Sequence, residues 1–259
     1  MTPWHSLEGK SVWVTGGAGH LGAVITAELD RHCRQVVCFD LEGHAEALVR
    51  TQNLTRTQPR SLDVSDAALL PAALDAAIAE FGVPDGLVHL ATASSSGQLL
   101  ETLPPAEFQN TLNRTLPPTF VLCRVLAERM KSRGSGSIVL FSSMYGVVAP
   151  DPRIYPDPLT PNPIDYGVAK AAILQLTRYF AVHYGAAGIR FNCITPGPFP
   201  NPGVQQAHPA FIGELAKKTA LRRIGRNTEI VGPVLFLLTD SSSYVTGHSL
   251  VVDGGWTTW

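Results

Sequence analysis

Seven short apolar runs recur along the chain, mostly separated by stretches with helical spacing. No other feature constrains the fold as much. Residues 11–14 (Ser-Val-Trp-Val), 35–39, 60–62, 86–90, 137–141, 190–194 and 249–252 read as strands. Helices are expected over about 20–32, over 66–81, over 105–132 as one or two, from Tyr166 onwards, and over about 228–239. A strand buried on both faces is apolar throughout, whereas a strand with one wet face alternates. Parallel neighbours need a long crossover, and a helix supplies it. The expected fold is therefore α/β, a doubly wound seven-stranded parallel sheet with helices on both faces. The 259 residues, 45% of them hydrophobic, are enough to bury such a sheet as a single domain, 1–259.

The first strand runs into Thr15-Gly16-Gly17-Ala18-Gly19-His20-Leu21-Gly22. Glycines let a backbone turn tightly and approach a pyrophosphate, and the following helix N-terminus offers free N–H groups and a positive dipole end. Gly16, Gly19, His20, Leu21 and Gly22 are thus expected to hold a dinucleotide. Asp40 closes the second strand, 18 residues beyond Gly22. A carboxylate there accepts from both ribose hydroxyls and repels a 2′-phosphate, which favours NAD over NADP. Asp63, with Val64, follows the third strand and is expected at the adenine edge.

Tyr166 and Lys170 stand four apart, on one face of a helix. A free phenol has a pKa of about 10, and a fixed ammonium beside it favours the phenolate. The pair is therefore expected to work as an acid/base unit with a lowered tyrosine pKa.

Several function classes are excluded at this stage. The net charge of −1 carries no basic block for nucleic acid or an anionic membrane. No apolar run approaches membrane-spanning length, and the first residues lack a signal-peptide layout. Cys33, Cys38, Cys123 and Cys193 form no CxxC and the histidines show no ligand spacing, so no metal site is expected. Buried thiols in a reducing cytoplasm are the expectation.

In order, Thr15-Gly16 to Gly22, Asp40, Asp63, Asn113, Ser143, Tyr166-x-x-x-Lys170, Asn192 with Pro196-Gly197, and Val252-Asp253-Gly254-Gly255 resemble the short-chain dehydrogenase/reductase family, from about residue 7 to 256. The resemblance implies a Rossmann fold and a catalytic tetrad. Tyr166 exchanges a proton with the substrate, Lys170 tunes it and holds the nicotinamide ribose, Ser143 holds the substrate oxygen, and Asn113 supports a relay water. It also implies that Pro196, Gly197 and Phe199 line the nicotinamide site, and that the protein is a homotetramer or homodimer.

Three departures stand out. His20 occupies a usual glycine position. The Asn-Asn-Ala-Gly after the fourth strand reads His89-Leu90-Ala91-Thr92, so only Ala91 remains as a cofactor-lining residue. Ser143 and Tyr166 lie 23 residues apart, longer than in most members. The proline-rich insertion 146–165 is expected to fold over the substrate, with Tyr145, Arg153 and Tyr155 joining Ser143 and Tyr166 there. A second proline-rich stretch follows the sixth strand. Neither is expected to hold regular structure, and residues 198–220 are expected to form a mobile lid.

The polar insertion suits a hydroxyl-rich small molecule. The expected activity is NAD-dependent interconversion of a secondary alcohol or hemiacetal and its carbonyl or lactone, on a sugar, sugar acid or polyol. Its rivals are an NADPH-dependent 3-ketoacyl-type reductase and a non-catalytic NAD-binding sensor.

Overall fold

The computed structural model describes residues 6–92 and 96–259. Seven strands form one parallel sheet: β1 (Ser11–Thr15), β2 (Gln35–Asp40), β3 (Thr57–Ser61), β4 (Gly86–His89), β5 (Gly136–Phe141), β6 (Ile189–Pro196) and β7 (Ser249–Val252). Their order across the sheet is β3-β2-β1-β4-β5-β6-β7. The order in which strands are added reverses between β1 and β4, where Thr15 lies opposite Phe39 on one side and His89 on the other. Ligands of open α/β sheets enter at such a switch point.

Period-two alternation within the strands feeds two cores. Trp13, Leu87, Ile138, Leu140 and Phe191 face one side, under α3 (Leu70–Phe81), α4 (Pro105–Lys131) and α5 (Ile164–Tyr184). Val12, Val14, Val88, Val139 and Ile194 face the other, under α1 (Gly22–His32) and α8 (Val231–Leu238). Every strand from β1 to β6 except β3 is thus covered on both faces, which explains their continuous apolar reading.

Two elements escape that reading. The third strand begins at Thr57, earlier than expected, and contains Pro59. It is a sheet edge paired only with β2, where a missing amide does little harm. The short helix α2 (His44–Gln52) buries only Ala45 and Leu48, which pack on Cys38.

The second proline-rich stretch is not irregular as expected. It holds α6 (Pro202–Ala207) and α7 (Pro209–Lys218), each starting on its proline. Proline at the first helical position loses nothing, because that amide has no partner in the helix and φ is already set. Asn201 caps α6 by accepting from the Val204 N–H at 3.0 Å. The insertion itself is shorter of structure, with one-turn helices at Met144–Gly146 and Pro152–Ile154.

Candidate active site

At the switch point the chain leaves β1, turns through Gly16 and enters α1. Gly16 takes φ +70°, and a Cβ there would sit 2.8 Å from the Ala91 nitrogen. A Cβ on Gly22 would overlap the Gly16 carbonyl oxygen. The loop can therefore close only with glycine at both positions. Gly19 and His20 need no left-handed backbone, so histidine fits where a glycine is usual. Burial lowers the His20 pKa and favours its neutral form. No side chain caps α1; in its first turn the Ala23 N–H donates to the Gly19 carbonyl at 2.8 Å, within the loop itself.

Two clefts meet at this loop. One, of about 310 Å³, is lined by Gly16, Gly19, His20, Leu21, Gly22, Ser143, Tyr166, Lys170, Pro196, Gly197 and Phe199, among others. The second, of about 340 Å³, is lined by Asp40, Asp63, Val64, Ala91 and Arg114 and shares Gly16, Gly19, Leu90 and Thr92 with the first. They form one crevice, with carboxylates at one end and the tyrosine–lysine pair at the other. The tight turn at Gly16 and the uncapped helix beside it fit the pyrophosphate of a nicotinamide dinucleotide.

Asp40 pins the glycine loop: its Oδ2 accepts from the Ala18 N–H at 2.8 Å and its Oδ1 from the Leu41 N–H at 2.8 Å. Asp63 accepts from the Ser65 N–H at 2.9 Å, and these Ser65 contacts hold its carboxyl below the usual range. Gly197 earns its place by packing: a Cβ would meet Asp253 Cβ at 2.7 Å.

At the other end, α5 begins two residues before Tyr166 and buries Lys170 on the same face. Lys170 Nζ donates to the Phe141 carbonyl at 3.1 Å and lies 5.7 Å from the Tyr166 ring centre. The two adjacent serines separate by partner. Ser142 Oγ donates to the Lys170 carbonyl at 2.7 Å and is structural. The Ser143 hydroxyl stands beside the Tyr166 phenol, whose anionic form it favours.

The electrostatics differ from expectation in one respect. In the protein alone the Tyr166 pKa is raised, because burial outweighs the Ser143 contact. Lys170 does not reverse this, since burial pushes its own pKa down to about 8. Both groups are desolvated, and desolvation disfavours each charge.

Asn113 is exposed on α4, whereas the face turned inwards carries Thr111, Thr115, Pro118 and Thr119. It lines neither cleft. Arg153 is exposed on the insertion. Its guanidinium is exposed and grips Asp151 through two bonds of 2.9 Å. Tyr145 and Tyr155 do come together, hydroxyl to hydroxyl at 2.6 Å, in a cluster that includes Tyr166.

Sequence reasoning missed two buried groups. Asp165 is fully buried and ties Ser96 N–H (2.9 Å) and Thr111 Oγ1 (2.7 Å) to the start of α5. Burial works against its charge, but these hydrogen bonds hold its pKa below the usual value. An acid in a first helical turn was its only signal. His89 bridges Thr15 Oγ1 at 2.6 Å and Thr119 Oγ1 at 3.0 Å, and burial pushes its pKa down to about 3. Nothing local in the sequence predicts that bridge.

Fold and crevice together define the class: an oxidoreductase that acts on CH–OH groups with a nicotinamide cofactor. The chain belongs to the short-chain dehydrogenase/reductase family, and residues 17–257 match the family model described as enoyl-(acyl carrier protein) reductase. It is 30% identical to the 2-keto-3-deoxy-L-fuconate dehydrogenase of Xanthomonas campestris pv. campestris, covering 98% of this chain and 82% of that one. It is 31% identical to the D-threitol dehydrogenase of Mycolicibacterium smegmatis, covering 97% and 94%. Among solved structures it resembles a short-chain dehydrogenase from Leptospira borgpetersenii with bound NAD+ (TM-score 0.83, 30% identity, 99% and 96% covered). It also resembles a gluconate 5-dehydrogenase from Burkholderia cenocepacia in complex with NADP and tartrate (TM-score 0.86, 26% identity, 98% of both chains covered).

Proposed function

We propose that the protein is an NAD-dependent dehydrogenase that interconverts a secondary alcohol or hemiacetal and its carbonyl or lactone, on a sugar, sugar acid or polyol. One observation carries the reading: Tyr166, Lys170 and Ser143 line the same cleft as the glycine loop. A nicotinamide dinucleotide bound there supplies the acceptor for the C–H hydride. Ser143 donates to the substrate oxygen and fixes its position. Tyr166 takes the hydroxyl proton as the C=O bond forms, and returns it in the reverse direction. Lys170 stabilises the phenolate, and the buried site strengthens that attraction. Asn113 is left out of this scheme.

NAD is favoured over NADP by Asp40. Each of its oxygens accepts one backbone amide and keeps lone-pair capacity for a ribose hydroxyl. A 2′-phosphate there would meet a carboxylate. The sugar or polyol class is supported by the hydroxyls of Tyr145 and Tyr155 beside Tyr166 and by the relatives named above. A homotetramer or homodimer is supported by exposed apolar groups on α4 and α5, among them Phe120, Val168, Tyr179 and Val182. Light scattering tests this. A cytoplasmic location is supported by four buried free cysteines.

The test is NADH formation across hexoses, pentoses, aldonates and polyols, repeated with NADP. Activity on hydroxyl-rich substrates with NAD is expected, and Tyr166→Phe should lower kcat about 10²–10⁴-fold. A clear NADP preference, or activity only on apolar alcohols, would overturn the cofactor or the substrate class respectively.

A further inference from the structure

Two phenols beside Tyr166 take no part in the chemistry above. Tyr145 lies two residues beyond Ser143, and its backbone N–H donates to Ser143 Oγ at 3.1 Å. That bond fixes Tyr145 relative to the residue that holds the substrate oxygen. Its ring is buried with Met144, Ile154, Leu215 and Trp256, and Tyr166 packs on the same cluster. Tyr155 reaches this point from the insertion. Its hydroxyl stands 2.6 Å from that of Tyr145, and its ring lies 5.0 Å from that of Phe211 on α7.

The two phenols share one hydrogen bond, in which either can donate, so one of their two O–H groups is left without an acceptor in the pair. Tyr145 is buried and Tyr155 only partly so, which makes Tyr155 the hydroxyl that a ligand can reach. A hydroxyl in an apolar wall costs free energy unless it finds an acceptor.

We propose that the Tyr155 hydroxyl is a specificity-determining group, which donates to a second substrate hydroxyl on the carbon next to the reacting one. The inference rests on the polyol reading above. A vicinal diol presents its second oxygen one carbon away from the oxygen held by Ser143 and Tyr166. A mono-alcohol leaves the Tyr155 donor unmet. Sites built to bond a hydroxyl reject analogues that lack it for this reason.

The experiment compares kcat/KM for cis- and trans-1,2-cyclohexanediol with that for cyclohexanol, at saturating NAD. The wild type should prefer one diol by about tenfold or more. Tyr155→Phe should reduce that ratio roughly five- to tenfold, mainly through KM. Phe211→Leu keeps the hydroxyl but disturbs the support from α7, and should change both substrates in parallel. If Tyr155→Phe also moves both in parallel, Tyr155 only braces the insertion and the inference falls. A wild type that treats diol and mono-alcohol alike overturns it as well. The sugar and polyol screen is read first: silence there overturns the substrate class itself, and this inference with it.

Discussion

Lys170 shows how a single side chain can work against the fold. Its pKa falls from 10.5 to about 8, because burial disfavours the ammonium. That shift corresponds to about 3 kcal/mol of destabilisation. The sign follows from linkage. Below pH 8 the folded protein carries the buried charge and the full penalty applies. Between pH 8 and 10.5 the unfolded chain binds more protons, so stability rises with pH until the penalty is gone. Lys170→Met should therefore raise Tm by several degrees at pH 7 and give no such gain near pH 10.5, while activity falls about 10²–10⁴-fold. Melting curves at the two pH values check the first claim, and initial rates the second. On the proposed mechanism Tyr166 sets the pH dependence of turnover. Its pKa is raised by burial, oxidation needs the phenolate, and reduction needs the phenol. Initial rates of oxidation should climb with pH and those of reduction should fall, and Tyr166→Phe should flatten both. At this scale the sequence was legible where a residue acts through spacing: Tyr166 with Lys170, and Asp40 after β2. It was not legible for Thr111, Thr115 and Thr119, whose inward phase is decided by how α4 packs on the sheet.

At the scale of elements, the expected lid and the expected insertion turn out to be bound to each other. Phe211, Leu215 and Lys218 lie on one face of α7, and each meets the insertion. Phe211 packs on Tyr155, Leu215 shares a cluster with Ile154, and Lys218 Nζ bonds Asp151 Oδ2 at 3.0 Å. The C-terminal end of α7 is held as well, since the Trp259 indole donates to the Lys218 carbonyl at 3.1 Å. This helix opens and closes with the insertion, or else it must break these contacts. Lys218→Ala removes the ion pair and leaves the aromatic contact. Tm should hardly move, because an exposed pair adds little, while limited proteolysis between residues 198 and 220 should speed up. Unchanged cleavage would show that the pair does not restrain α7. The prolines that suggested irregular structure here are helix starters, a distinction that depends on which residue opens the helix and not on composition.

The whole molecule couples the two ends of one crevice through the sheet. Asp40 at the end of β2 pins the loop after β1, and that loop borders the cleft in which Tyr166 and Lys170 stand. A dinucleotide that binds only the folded state stabilises it by mass action, about 2.7 kcal/mol at a hundred times its Kd. For a chain of this size that is a rise in Tm of roughly 5–10 °C. NAD should give this shift and NADP a smaller one at equal concentration, read by thermal melting. Asp40→Ala should shrink the NAD shift and also lower the Tm of the free protein, because the Ala18 amide loses its acceptor. By itself, the sequence determined the parallel sheet, the glycine turn, the Asp40 end and the tyrosine–lysine pair. Each follows from periodicity or from contacts within a few residues. Only the tertiary structure decided which threonine face of α4 points inwards, that Asp165 and His89 are buried anchors, and that Tyr145 meets Tyr155. Those groups lie 10 to 74 residues from their partners, and only the packing of separate elements brings them within a hydrogen bond of one another.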